Sequence, residues 1–335
     1  MRNGLPLSRP LETTFMHAIL IDSQQRLVWS EVPDPSPKEN ELLIEVHAAA
    51  LNRADLMQRA GNYPPPPGWP EWMGLEVAGV VLEAPEAGRF RRGDAVCALL
   101  GGGGYAEKVA VPADMALPVP SGLSMAEAAA LPEAFATSYL NLCLEGGMKA
   151  GDTVLIQAGA SGLGIAAIQL AKELGATVMT TVGSEEKARF VRSVGADIVV
   201  NRRTDDLGAI MDKHPVNIAM DCVAGSGLGA NVVKMAPGGR WIVIATLAGS
   251  KTEIDMNVFF RRGLKLIGST LRSRTSGTKA QILSGVESLL WEKFATGKLR
   301  PVIHQTLPMS THAEAAHAIL QNQENIGKVV LILDK

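Results

Sequence analysis

The rhythm of apolar positions changes near residue 135. Upstream, apolar and polar residues alternate over short runs at 16–21, 27–30 and 41–48, which predicts strands, with Pro33-Asp-Pro-Ser-Pro37 as a turn. Residues 52–60 predict a short helix closed by Gly61, and Pro64-Pro-Pro-Pro67 predicts a stiff extended loop. Extended runs at 74–82, 95–100 and 105–109 surround a four-glycine stretch at 101–104. Short strands with short connections predict a partly open β-barrel for residues 16–134. Downstream, short apolar runs alternate with helical spacing. A helix at 136–144 is followed by strand–helix pairs at 153–158 with 162–174, 177–182 with 185–194, and 197–200 with about 205–213. Strands at 216–221, 240–245 and 264–268 follow, with a helix near 226–235. This α/β alternation predicts a doubly wound parallel sheet with right-handed crossovers. Helices at 278–296 and 311–321 and a strand at 329–333 do not continue the series. The expected division is therefore 1–15 as a loose N-terminal extension, 16–134 with a returning tail 280–335, and 135–279 as the α/β unit.

One strand-to-helix turn concentrates the candidate chemistry. Val154-Leu-Ile-Gln-Ala-Gly-Ala-Ser-Gly-Leu-Gly164 reads as a buried strand, a glycine-rich turn and a helix start. Glycine-rich turns are common, but here strand, turn, helix and second strand come in the order a dinucleotide site requires. Gly159, Ala160, Ser161, Gly162 and Leu163 are the candidate cofactor-binding turn. Ser161 stands where G-x-G-x-x-G expects its second glycine. An NAD site places an acid about 20 residues on, to hold the ribose 2′-OH. Here that place is Gly183, followed by Ser184, with Lys187 one helical turn further and Arg202 and Arg203 after the third strand. Glycine leaves room for a 2′-phosphate, so these residues predict NADPH rather than NADH. Otherwise Lys187, Arg202 and Arg203 are ordinary solvated charges.

Composition excludes several classes. The 335 residues suggest about two domains, and 47% hydrophobic with 20% charged residues is ordinary for a globular protein. A net charge of −2 with no basic tail argues against nucleic acid and anionic membranes as partners. No apolar run reaches membrane-spanning length, and residues 1–15 lack a signal-peptide core. Three scattered cysteines, Cys97, Cys143 and Cys222, predict no disulfide framework and a reducing, cytoplasmic setting.

Together these segments resemble the medium-chain dehydrogenase/reductase superfamily over residues 16–335. Gly74-Leu-Glu-Val-Ala-Gly79 looks like its G-H-E-x-x-G signature, with leucine for histidine. Asn52-Arg-Ala-Asp-Leu-Met-Gln-Arg, Tyr63-Pro-Pro-Pro, Gly159-Ala-Ser-Gly-Leu-Gly and Asn325-Ile-Gly-Lys-Val-Val-Leu are similar to the zinc-free quinone oxidoreductase branch, nearest its tumour-suppressor-inducible group, related to zeta-crystallin. The resemblance implies a GroES-like barrel beside a Rossmann domain, with substrate in the cleft between them. Zinc-dependent members carry Cys, His and Cys where this chain has Asn52, Leu75 and Glu133. Structural zinc needs four Cys or His ligands, and no four-cysteine lobe exists. Without a Lewis acid, alcohol dehydrogenation gives way to hydride delivery onto an acceptor that is already electrophilic.

The family's cleft positions fall on Asn52 and Tyr63, which become the candidate catalytic residues, hydrogen-bonding the acceptor oxygen. Asn52 reads equally as a helix cap and Tyr63 as packing beside the proline loop. Met57 stands where some quinone reductases carry a second tyrosine. The resemblance also implies nicotinamide-end contacts from Leu247 and Ala248, from Thr270, Leu271 and Ser273, with Thr137 near the ribose and Asn325 reaching in from the tail. It implies a homodimer joined at the last Rossmann strands, among Val243, Ile244, Val258, Phe259, Phe260, Leu264, Leu266 and Ile267. The leading expectation is an NADPH-dependent quinone reductase. An alkenal or enone double-bond reductase and a nucleotide-bound redox sensor are the competing ones.

Overall fold

The computed structural model describes residues 14–333. Residues 1–13 of the expected extension lie outside the described residues, and the first strand begins one residue earlier than the alternation predicts. In chain order the first part comprises β1 (Phe15–Ile21), β2 (Leu27–Pro33), β3 (Glu41–Ala50), α1 (Arg53–Arg59), β4 (Glu76–Glu83), β5 (Ala95–Leu99), β6 (Lys108–Pro112) and β7 (Ala116–Pro118). Then come α2 (Met125–Ala129), α3 (Pro132–Tyr139), β8 (Thr153–Ile156), α4 (Gly162–Glu173), β9 (Thr177–Val182), α5 (Glu185–Val194), β10 (Ile198–Asn201), α6 (Leu207–Lys213) and β11 (Ile218–Asp221). The chain closes with α7 (Leu228–Val232), β12 (Arg240–Val243), α8 (Met256–Arg261), β13 (Lys265–Gly268), α9 (Ser276–Ala295), β14 (Ile303–Pro308), α10 (Met309–Gln321) and β15 (Lys328–Ile332).

Two large sheets carry most of the strands, and β1 and β2 form a separate antiparallel pair. The parallel sheet has six strands in the order β10-β9-β8-β11-β12-β13. Its order reverses between β8 and β11, the switch point where doubly wound sheets bind ligands. The other sheet runs β14-β15-β3-β4-β5-β7, with β6 also on β3. Its centre is β3, a ten-residue strand that pairs with β4, with β6 over its first half and with β15 over its last three residues. The tail thus returns to the first sheet. This is an α/β fold with a GroES-like N-terminal unit beside a Rossmann-like sheet.

Local sequence explains the Rossmann elements. In α4, Ile165, Ala167, Ile168 and Leu170 turn into the core at helical spacing. In α5 only Ala188 and Val191 are buried, and Gly195 at φ 118° ends the helix, a left-handed position suited to glycine. Helix α9 joins the two cores: Ile282 and Leu283 pack into the first, Val286, Leu290 and Phe294 into the second. Phe294 meets Phe135 edge-on, with ring centroids 5.1 Å apart.

Candidate functional site

The glycine-rich turn is shaped by close approach. Strand β8 ends and Ala158 takes a left-handed φ of 56°, reversing the chain toward α4. A side chain at Gly159 would collide with Thr180 on β9, and one at Gly162 with the aliphatic stem of Lys328. At Gly164 a Cβ would lie 2.5 Å from the Ala158 carbonyl. Ser161 takes a different part from a second glycine. Its Oγ accepts the Gly164 N–H at 3.0 Å and donates to the Ala158 carbonyl at 2.8 Å, so it caps α4. The N–H groups of Gly162 and Leu163 lack helical acceptors, and the twelve-residue helix puts partial positive charge behind them. The tail closes one side: Gly327 N donates to the Ala160 carbonyl at 2.9 Å, and Asn325 Nδ2 to the Gly327 carbonyl at 2.7 Å.

The end of β9 gathers cations. Ser184 caps α5 by accepting the Lys187 N–H. Lys187 Nζ lies 2.6 Å from the Gln323 main-chain oxygen, and Arg202 Nη2 lies 3.2 Å from Gln323 Oε1. A Cβ at Gly183 would stand 3.1 Å from Arg202 Nη2. Burial first, then the neighbouring Arg202 and Arg203 cations, depress the Lys187 pKa, against Glu186. Gly183, Ser184, Lys187 and Arg202 therefore share one corner. Glycine cradle, free N–H groups and cations together fit a dinucleotide that carries an extra anionic group at this end.

The cleft residues form a buried polar cluster. Lys328 is 6% exposed and Glu76 is fully buried. Lys328 Nζ donates to Glu76 Oε1 at 2.6 Å, to the Leu51 carbonyl at 2.7 Å and to Asn52 Oδ1 at 2.8 Å. Asn52 Nδ2 in turn donates to Glu76 Oε1 at 3.0 Å. Both ends of the Asn52 amide are thus engaged, while its main-chain N–H donates to Asp55. Glu76 Oε2 accepts the Glu133 N–H at 2.8 Å, and Glu133 Oε1 accepts the Thr137 hydroxyl at 3.2 Å. Burial, reinforced by Glu76, pushes the Glu133 carboxyl up to about 7. Tyr63 lies under Arg272, whose guanidinium carbon is 4.9 Å from the ring centroid. Arg272 is buried without a carboxylate. Its three nitrogens donate to Gly101 O, Tyr63 O and Gln58 Oε1 at 2.9, 2.8 and 2.6 Å. Arg272 holds the Tyr63 main chain, and burial raises the Tyr63 hydroxyl pKa, so that group stays a donor.

A cavity of about 530 Å³ opens at the C-terminal ends of β12 and β13, lined by Val243–Thr246, Gly268–Thr270, Ser273 and Arg274. Thr270 and Ser273 are in this lining and hydrogen-bond each other. Leu247, Ala248 and Leu271 are outside it. Leu247 is exposed, Ala248 N donates to Val223 O, and Leu271 is buried in the first core. Sequence reasoning gave no role to Lys328, Glu76, Arg272 or Gln323. The first two sit inside quoted motifs and could have been found there, as the tail and signature charges. Arg272 and Gln323 carry no local signal. Leu75 cannot ligate a metal, and among the described residues no cluster of three His, Cys, Asp or Glu could hold one. Burial raises the thiol of Cys143 to about 11 and of Cys222 to about 12, which removes thiolate chemistry near neutral pH.

Two family models match the chain: Alcohol dehydrogenase GroES-like domain at residues 38–121 and Zinc-binding dehydrogenase at residues 162–286. The quinone oxidoreductase of Sus scrofa is 31% identical over 91% of this chain and 92% of its own length. The solved quinone oxidoreductase from Thermus thermophilus, described also in complex with NADPH, is 31% identical, with a TM-score of 0.80 over 95% of this chain and 100% of that one. A structure described as an NAD-dependent alcohol dehydrogenase superposes as well, at TM-score 0.82 and 29% identity over 95% of this chain and 100% of that one, so likeness alone does not choose between NAD and NADP. No helix among the described residues is long and apolar enough to cross a membrane. Matched by both family models and by a 31% identical quinone oxidoreductase over nine-tenths of its length, this chain is an oxidoreductase that uses a nicotinamide cofactor and belongs to the medium-chain dehydrogenase/reductase superfamily, among the relatives of quinone oxidoreductase.

Proposed function

We propose that this protein reduces a quinone, or a comparable electrophilic carbonyl compound, with NADPH and without a metal. The observation that carries the reading is the convergence of Lys187 and Arg202 beside position 183, which is glycine rather than a carboxylate. That corner would hold the 2′-phosphate, the turn 159–163 the pyrophosphate, and Thr137, Thr270, Ser273 and Asn325 the nicotinamide half. Leu247, Ala248 and Leu271 would contribute main-chain contacts only. A bound nicotinamide supplies the hydride. The Tyr63 hydroxyl would donate a hydrogen bond to the acceptor oxygen, and Arg272 would stabilise the charge gathering there. Asn52 would act by positioning, since its amide already bridges Lys328 and Glu76. The ligand places Asn52, Leu75 and Glu133 favour metal-free chemistry.

The proposed division is 16–134 with 280–335 as the catalytic unit and 135–279 as the cofactor unit, working as a cytoplasmic homodimer. The test is an acceptor screen with NADPH that sets ortho- and para-quinones against α,β-unsaturated aldehydes. Steady NADPH oxidation with quinones supports the reading. Turnover confined to the aldehydes would replace it with a double-bond reductase, and no turnover with either would favour a redox sensor.

A further inference from the structure

The loop between α10 and β15 sits on both cations of the β9 corner. The two contacts come from one residue: Gln323 offers its main-chain oxygen to Lys187 and its side-chain Oε1 to Arg202. Gln323 holds φ at 58°, a left-handed conformation that a residue with a Cβ adopts at some cost. The loop's other polar groups point elsewhere. Asn322 Nδ2 donates to Glu324 at 3.1 Å, and Asn325 Nδ2 to the Gly327 carbonyl at 2.7 Å. Two neutral oxygens therefore take the donors that a doubly charged phosphate would satisfy more strongly.

We infer that Gln323 is a specificity-determining residue: its two oxygens compete for Lys187 and Arg202 with the 2′-phosphate, so a cofactor bearing that group displaces the loop and one lacking it does not. The inference rests on the NADPH reading above and adds to it a built-in competitor. Competition of this kind lowers apparent affinity by the fraction of time the pocket is taken. It acts on the 2′-phosphate end, because the hydrogen bonds of Gln323 run to Lys187, Arg202 and the Leu320 carbonyl rather than to the turn that would hold the pyrophosphate of either cofactor. The same loop continues through Gly327, bonded to Ala160, to Lys328, bonded to Asn52. Displacement at the phosphate corner would therefore be felt at the cleft.

The test compares wild type with Gln323→Gly, which keeps the left-handed backbone without strain and removes the side-chain oxygen. Gln323→Asn, also tolerant of that backbone, withdraws the oxygen and serves as a second variant. Dissociation constants are measured by calorimetry for NADPH, NADH, adenosine 2′,5′-bisphosphate and adenosine 5′-monophosphate. Both variants are expected to bind NADPH and the bisphosphate about three- to tenfold more tightly, the worth of one ordinary hydrogen bond, since the Arg202 contact is exposed and 3.2 Å long, with NADH and the monophosphate unchanged. Unchanged or weakened NADPH binding, in a wild type that does prefer NADPH, overturns the competition and leaves the NADPH reading standing. A wild type that binds NADPH and NADH alike overturns both.

Discussion

Single residues decide how the cleft holds its charges. Glu76 and Lys328 form a buried ion pair that Asn52 and the Leu51 carbonyl complete. Removing one partner leaves the other charged and dry, which typically costs about 3–5 kcal/mol. Lys328→Met should therefore lose about that much in urea denaturation, and adding Glu76→Gln to it should recover part. A loss below about 1 kcal/mol would mean water reaches the pair. Glu133 makes a different prediction. Its pKa is raised from the usual 4.5 to about 7. Below pH 4.5 the group is protonated in both states and has no effect. As pH rises from about 4.5 to 7 the unfolded chain releases this proton first, so stability falls, and above 7 the loss is constant. His317, whose pKa burial depresses from 6.5 to about 4, acts oppositely, costing stability as pH falls through that window. Subtracting melting curves of Glu133→Gln from wild type removes the histidine contribution. The variant should gain on wild type between pH 4.5 and 7, and a pH-independent difference would refute the raised pKa. The motifs mark Asn52, Glu133 and, by their charges, Glu76 and Lys328 one by one, but their pairing was not legible from local pattern, because these residues lie far apart in sequence and only the fold joins them.

At the scale of elements the sequence was far more informative. Long amphipathic helices and apolar β-runs declared themselves because each buries one face over many residues: α4, α5 and β9 match their predicted spans closely. The elements missed were short ones, β7, α2, α8 and β14, of three to six residues. Such elements hold their shape through partners rather than through their own periodicity. The helix expected at 136–144 starts earlier, at Pro132, because proline suits the first helical turn. The β9–α5 junction carries the cofactor prediction. Lys187→Ala and Arg202→Ala should each weaken NADPH binding about ten- to a hundredfold and leave NADH nearly unchanged, since charge-assisted hydrogen bonds contribute about 1.5–3 kcal/mol. Gly183→Asp should act more broadly. Its carboxylate would emerge against the Arg202 guanidinium, pair with it and repel a phosphate, shifting preference toward NADH. The ratio of kcat/KM with the two cofactors reads all three variants. If none changes it, the 2′-phosphate does not bind here.

For the whole molecule, the open question is what covers the end of the parallel sheet. Among the described residues β13 pairs only with β12, so its outer edge offers unpaired main-chain groups. The surroundings are apolar: Leu266 on that strand is 42% exposed, and nearby Phe260 and Met256 on α8 are 64% and 60% exposed. Val243 and Ile267, by contrast, pack against monomer cores, so only part of the apolar set expected at this interface is free to meet a partner. A second copy joined edge to edge would extend the sheet and bury these side chains, and burying one such side chain contributes roughly 1.5–3 kcal/mol. Leu266→Lys should therefore convert a dimer into a monomer by light scattering at micromolar concentration, and Phe260→Glu should do so partly. The cavity at the ends of β12 and β13 borders this same edge. Loss of pairing is accordingly expected to raise the KM for the nicotinamide cofactor as the mass halves, while the β9 corner, on the far side of the sheet, keeps its NADPH-to-NADH ratio. A wild-type chain that runs as a monomer would sink the edge-to-edge dimer. A Leu266→Lys variant that stays dimeric would move the interface elsewhere.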